Sequence, residues 1–174
     1  MKRAGEPLWQ QAWIGLGSNQ GDRLALVRLG RAELAATEGV RLEASSALYC
    51  TAPVGGPAGQ ADFYNAVVQL ATCLSPLELL RRCLAIEQRA GRKRLQHWGP
   101  RTLDLDLLLY DDATCITTAE LCLPHPRLHQ RAFVLRPLCD LVPRQRHPGL
   151  GRSLAELLAA LPAGPAVVRL RSDW

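Results

Sequence analysis

Two aspartates, Asp104 and Asp106, interrupt a run of leucines in Leu103-Asp104-Leu105-Asp106-Leu107-Leu108-Leu109-Tyr110. Side chains alternate across a strand, so positions 104 and 106 share one face while Leu103, Leu105, Leu107 and Leu109 take the other. Aspartate is a poor strand former, and two like charges so close resist joint ionisation unless a cation neutralises them. A solvated strand face is the plain alternative. Paired hard oxygen ligands without a dedicated cage, however, suit Mg²⁺ shared with a substrate's phosphates. Asp104 and Asp106 are the expected metal ligands.

Basic residues flank this pair. Gly91-Arg92-Lys93-Arg94 lies upstream, followed by Trp98 and Arg101. Carboxylates that hold metal and arginines that hold phosphate oxygens belong together, because the planar guanidinium matches two oxygens at once. A third cluster is Pro124-His125-Pro126-Arg127-Leu128-His129-Gln130-Arg131-Ala132-Phe133. His125 and His129 are four apart, but Pro126 intervenes and no cysteine stands near, which weakens a zinc reading. A histidine hydrogen-bonded to phosphate fits better.

Composition narrows the remaining choices. The chain has 174 residues, of which 48% are apolar, and a formal charge of +5. That length suits one domain, and no apolar stretch approaches the ~18 residues of a membrane span. Of 21 basic residues only Lys2 and Lys93 are lysines. Such an arginine excess fits nucleotide or nucleic acid alike. RNA-binding modules of similar element order display a dense aromatic run, which is absent here, so no nucleic-acid partner is expected. The six cysteines show no C-x-x-C spacing, and Met1 to Ala12 contains no continuous apolar stretch of the secretory kind. Reduced thiols and a cytoplasmic location follow.

Gly15-Leu16-Gly17-Ser18-Asn19-Gln20-Gly21 follows a strand, but its spacing misses the dinucleotide fingerprint by one residue. A flexible strand-to-helix loop is the expected form. No G-x-x-x-x-G-K-[ST] occurs.

The elements that must position these groups can be read from periodicity and caps. Trp13 to Gly17 is predicted as a strand, and Asp22 caps a helix that ends near Gly39. Val40 to Tyr49 is extended, Thr51 to Gln60 is a Pro- and Gly-rich loop, and Phe63 to Thr72 is a strand. Ser75-Pro76-Leu77-Glu78 opens a second helix with a capping box. Leu103 to Tyr110 is a strand, and Ser153 to Glu156 starts a C-terminal helix. The order β-α-β-β-α-β predicts an α+β, ferredoxin-like antiparallel sheet with helices on one face and additional C-terminal elements. Residues 1–12 read as an N-terminal extension and residues 13–174 as a single domain.

Six motifs lie in the order of one known family. They are Gly17-Ser18-Asn19, Tyr49-Cys50-Thr51-Ala52-Pro53-Val54-Gly55, Phe63-Tyr64-Asn65-Ala66, Gly91-Arg92-Lys93-Arg94, Trp98-Gly99-Pro100-Arg101-Thr102-Leu103-Asp104-Leu105-Asp106 and Pro124-His125-Pro126. From about residue 13 to 149 the chain resembles 6-hydroxymethyl-7,8-dihydropterin pyrophosphokinase, an enzyme of folate biosynthesis.

The resemblance implies transfer of the terminal diphosphate of ATP to the pterin's hydroxymethyl group, with release of AMP. By motif, Asp104 and Asp106 would hold two Mg²⁺ ions, and Arg92 and Arg101 would be catalytic, closing on the triphosphate. Arg94, His125 and Arg131 would be further ATP contacts. Phe63 and Phe133 would sandwich the pterin, Asn65 with the backbone near Thr51 and Val54 would read its edge, and Trp98 would cover the site. ATP and the pterin are the expected partners of a monomer.

Overall fold

The computed structural model describes residues 8–91 and 101–174. Strand β1 (Gln10–Ser18) leads into helix α1 (Arg23–Ala35), then β2 (Val40–Ser45), β3 (Leu48–Thr51), β4 (Phe63–Thr72) and α2 (Pro76–Arg89). There follow β5 (Asp104–Tyr110), a small hairpin of β6 (Ile116–Thr117) and β7 (Cys122–Leu123), α3 (Ala132–Leu141), α4 (Leu154–Ala159) and β8 (Val167–Arg171).

The caps act where their residue types suggest. Asp22 accepts the Ala25 N–H at 3.0 Å and opens α1. Ser75 and Glu78 form a reciprocal capping box on α2, and Ser153 and Glu156 repeat it on α4. Each satisfies N–H groups that the first helical turn leaves without partners.

Among the described residues, the main sheet runs β5-β1-β4-β3-β8, with β2 sharing the β3 edge of β4, and every pairing is antiparallel. β1 therefore lies between the aspartate strand and the central β4. It starts at Gln10, pairing with Thr72, rather than at Trp13. Gln10 to Ala12 thus belong to the sheet and not to an extension. Gly15 and Gly17 lie inside β1, as the strand predicted for Trp13 to Gly17 requires, and the expected loop is confined to residues 19–22. The extended segment from Val40 divides in two at Ser46, whose Oγ accepts the Val67 N–H at 2.9 Å.

Each face of the sheet has its own core. Ile14, Leu16, Val68, Leu70, Leu105 and Leu107 pack against Val27 and Leu34 of α1 and Leu79 and Ile86 of α2. Trp13, Val67, Leu108 and Leu109 pack against Leu135 and Leu138 of α3 and Leu154 and Leu157 of α4. Helices α1 and α2 thus share one face as expected, while α3 and α4 cover part of the opposite one. Pro137 hides α3 from a sequence reading, since proline inside a helix normally marks its end.

One irregularity alters the predicted alternation of β5. Trp13 pairs with Leu109 but Ile14 pairs with Leu107, so Leu108 is an extra residue. A bulge of this kind turns the chain locally. It places Leu109 in the α3–α4 core rather than with Leu103, Leu105 and Leu107. No helix among the described residues is long and apolar enough to cross a membrane.

Candidate active site

Where α3 and α4 leave the sheet uncovered, a cavity opens. Its walls include Asp104 and Asp106 of β5, Gly15 and Gly17 of β1, Phe63 and Asn65 of β4, Thr51 at the end of β3, Val54, Arg101, Arg131 and Phe133. The pairing explains how distant residues meet. Gly17 pairs with Asn65 on one side and Asp104 on the other, and Gly15 pairs with Val67 and Asp106. Space is tighter at Gly17 than at Gly15. A Cβ on Gly17 would stand 3.3 Å from Asn65 Oδ1 and 3.9 Å from both Asp104 Cβ and Phe63 Cδ1. Any side chain at Gly17 would therefore fill the floor between the aspartate and the asparagine.

The β3–β4 wall is polar and rigid. Asn65 Nδ2 donates to Thr51 Oγ1 at 2.7 Å, and both residues are buried. Phe63 stands beside them, while Phe133 enters from the first turn of α3. Two rings and a buried amide in one cavity suit a flat, hydrogen-bonding heterocycle.

The opposite wall is charged. Arg101 forms an ion pair with Asp104. Arg127 and Arg131 stand at either end of the short turn Leu128–Gln130, and both line the cavity. Burial, followed by the nearby Arg127, lowers the Arg131 guanidinium from its ordinary value, while Asp106 and Asp104 act the other way. An arginine remains charged at neutral pH under such a shift. Arg127 was not among the expected contacts. Its signal was available, because it closes the Pro124-His125-Pro126-Arg127 run four residues before Arg131.

His125 does not line the cavity. Its N–H donates to the Leu108 carbonyl at 2.9 Å, on the edge of β5 that no strand pairs among the described residues. Burial first, then Arg131 and Arg127, push its pKa down to about 4. The ring is therefore neutral at pH 7. Its Nδ1 accepts the Arg127 N–H at 3.2 Å, which leaves Nε2 to carry the proton and donate. On the same open edge, Leu105 N–H donates to buried Glu87 Oε1 at 2.7 Å. That bond holds the backbone between the two aspartates.

Of the expected site residues, Thr51, Val54, Phe63, Asn65, Arg101, Asp104, Asp106, Arg131 and Phe133 meet in this cavity. Arg92, Arg94 and Trp98 lie outside the described residues. No group of three or more histidine, cysteine or carboxylate side chains among the described residues could hold a metal alone. Asp104 and Asp106 offer only part of a coordination shell, as fits a cation completed by phosphate oxygens.

An antiparallel α+β sheet with paired aspartates, converging arginines and an aromatic cleft suits an enzyme that transfers phosphate groups with the help of a metal. Residues 13–143 match the family 7,8-dihydro-6-hydroxymethylpterin-pyrophosphokinase (HPPK), and the chain belongs to it. It is similar to the 2-amino-4-hydroxy-6-hydroxymethyldihydropteridine pyrophosphokinase of Pseudomonas aeruginosa, 44% identical over 88% of this chain and 93% of that one. The Synechocystis enzyme of the same name is 44% identical over 84% of this chain and 74% of its own. A crystal structure of Plasmodium falciparum HPPK-DHPS with pteroate covers 90% of this chain at a TM-score of 0.69. This chain spans 44% of that protein, and at 16% identity the likeness concerns the fold alone.

Proposed function

We propose that this protein transfers diphosphate from ATP to the hydroxymethyl group of 6-hydroxymethyl-7,8-dihydropterin, giving the pterin diphosphate and AMP in folate biosynthesis. The observation that carries the reading is the joint opening of Asp104 and Asp106 into the cavity lined by Phe63, Asn65 and Phe133. A phosphate-bearing substrate and a flat heterocycle would meet there. The ferredoxin-like reading of the fold is supported by the order β5-β1-β4, with β2 and β3 on the far edge of β4.

In the reaction the hydroxymethyl oxygen attacks the β-phosphorus of ATP. The bond from that phosphorus to the α,β-bridging oxygen breaks, AMP departs with that oxygen, and the alcohol's proton passes to solvent. Transfer of this type needs in-line positioning and neutralised oxygen charge more than covalent help from the protein. Phe63 and Phe133 hold the pterin ring, and Asn65, with the backbone near Thr51 and Val54, fixes its edge so that the alcohol faces the aspartates. Arg101 and Arg131 take triphosphate oxygens, joined by Arg127. From its motif His125, set beside the cavity, is a further ATP contact, its uncharged ring donating through Nε2. Two Mg²⁺ ions held by Asp104 and Asp106 would neutralise the triphosphate and make the alcohol more acidic. From the sequence motifs, Arg92 acts on the charge that moves during transfer, Arg94 contacts ATP, and Trp98 covers the site. The enzyme works as a monomer in the cytoplasm, as a single domain whose sheet begins at Gln10.

The test is AMP formation from ATP and Mg²⁺, measured with and without 6-hydroxymethyl-7,8-dihydropterin. AMP should accumulate only when the pterin is present. Equal AMP release without it would make the protein a hydrolase.

A further inference from the structure

Asn19 does not line the cavity, yet it joins the segments that form two of its rims. Its side chain is almost fully buried, with the residue 4% exposed. Oδ1 accepts the Arg101 backbone N–H at 2.8 Å, and the Asn19 backbone N–H donates to the Arg101 carbonyl at 3.1 Å. Nδ2 donates to the Ala61 carbonyl and to Gln60 Oε1, both at 3.2 Å. A backbone N–H can only donate and a carbonyl can only accept, so the network fixes the direction of the amide. One side chain thus clips the 52–62 loop, on the pterin side, to Arg101, on the phosphate side.

We infer that Asn19 is a positioning residue that couples the two substrate subsites, an inference resting on the pyrophosphokinase reading above. Ordering of Arg101 by a triphosphate is passed through the amide to the 52–62 loop, and the pterin then meets a loop already in place. A ligand that orders one segment lowers the cost of ordering another only where the two are joined. By linkage the effect is reciprocal. The next residue of the loop has its own anchor, because Arg23 Nη1 donates to the Asp62 carbonyl at 2.7 Å and its guanidinium stacks on Tyr64 at 4.1 Å. Loss of the Asn19 link therefore loosens the loop without releasing it.

Asn19→Asp divides the two halves of the link. The carboxylate keeps an acceptor for Arg101 N–H but sets an oxygen against Ala61 O and Gln60 Oε1. Calorimetry should give the dissociation constant of the pterin with and without a non-hydrolysable Mg·ATP analogue, and that of the analogue alone. In the wild type the analogue should tighten pterin binding. In Asn19→Asp that tightening should shrink about tenfold, as loss of one or two buried hydrogen bonds implies, with the analogue's own affinity within about twofold. Hydrogen exchange on the wild type supplies a reading without a variant. The analogue alone should protect amides of the 52–62 loop. Unchanged tightening in the variant, equal weakening of both ligands, or no protection of the loop would each overturn the coupling role. A wild type that binds no pterin at all would overturn the pyrophosphokinase reading, and this inference with it.

Discussion

On the face covered by α1 and α2, the β5 run presents Leu103, Leu105 and Leu107, none more than 4% exposed. On the other face the same run presents Asp104, Asp106 and Leu108 to the cavity. β1 divides in the same way, with Ile14 and Leu16 in the first core and Gly15 and Gly17 under the cavity. β4 sends Ala66, Val68 and Leu70 one way and Asn65 and Val67 the other. One alternation therefore assigns stability to one set of side chains and chemistry to the other. The open face can carry close carboxylates because the sealed face holds the strands in register. Substitutions on the two faces should accordingly separate turnover from folding.

The largest separation is expected at the aspartates. Asp104→Ala and Asp106→Ala should each lower kcat by about a thousandfold or more, the scale of lost charge stabilisation in phosphate transfer. Unfolding free energy should stay within about 1 kcal/mol of wild type, since the Arg101–Asp104 pair is partly exposed and removing a crowded carboxylate relieves repulsion. Steady-state kinetics beside thermal unfolding checks both halves. Leu105→Ala inverts the pattern. Its side chain fills the α1–α2 core, so truncation should cost about 2–5 kcal/mol, read by urea unfolding. Turnover per folded molecule should change far less than in either aspartate variant.

A smaller effect sharpens the division within the open face. Phe133→Ala removes one stacking surface, worth roughly 1–3 kcal/mol by analogy with base–aromatic stacking. Pterin binding should weaken about tenfold while an ATP analogue binds nearly as before. Equal loss of both ligands would make Phe133 part of the α3–α4 core.

The smallest effect concerns protons. His125 has a folded pKa of about 4 against the ordinary 6.5 of an imidazole, so the unfolded chain binds more protons between these values. Its contribution to stability is complete above pH 6.5 and falls as pH drops toward 4. NMR should find the His125 ring neutral at pH 6, and His125→Asn should flatten the loss of stability across this window. A ring titrating near 6.5 would remove the neutral donor assignment.

How much of this could be read beforehand depends on the range of the interaction. The caps at Asp22, Ser75 and Ser153 were legible because their partners lie three residues away. The aspartate face was legible because strand alternation is local. The bulge at Leu108 was not, since it depends on the partner strand, and it moved Leu109 to the other core. The G-x-G spacing suggested a loop as well as a strand, and only the pairing shows that Gly17 sits between Asn65 and Asp104 across the sheet. Motif resemblance supplied the pterin and ATP roles that periodicity alone could not. Arg127 was legible as part of a basic cluster but not as a cavity residue, because its arrival there depends on the turn before α3 and on α3 itself, which Pro137 conceals.

The central claim is that a diphosphate, not a single phosphate, leaves ATP for an alcohol held beside Asp104 and Asp106. Phosphorus-31 NMR of the wild-type enzyme with Mg²⁺, ATP and 6-hydroxymethyl-7,8-dihydropterin tests it directly. The three ATP resonances should give way to one AMP signal and a coupled pair from the pterin diphosphate, in equal amounts. Appearance of ADP with a pterin monophosphate would contradict attack at the β-phosphorus.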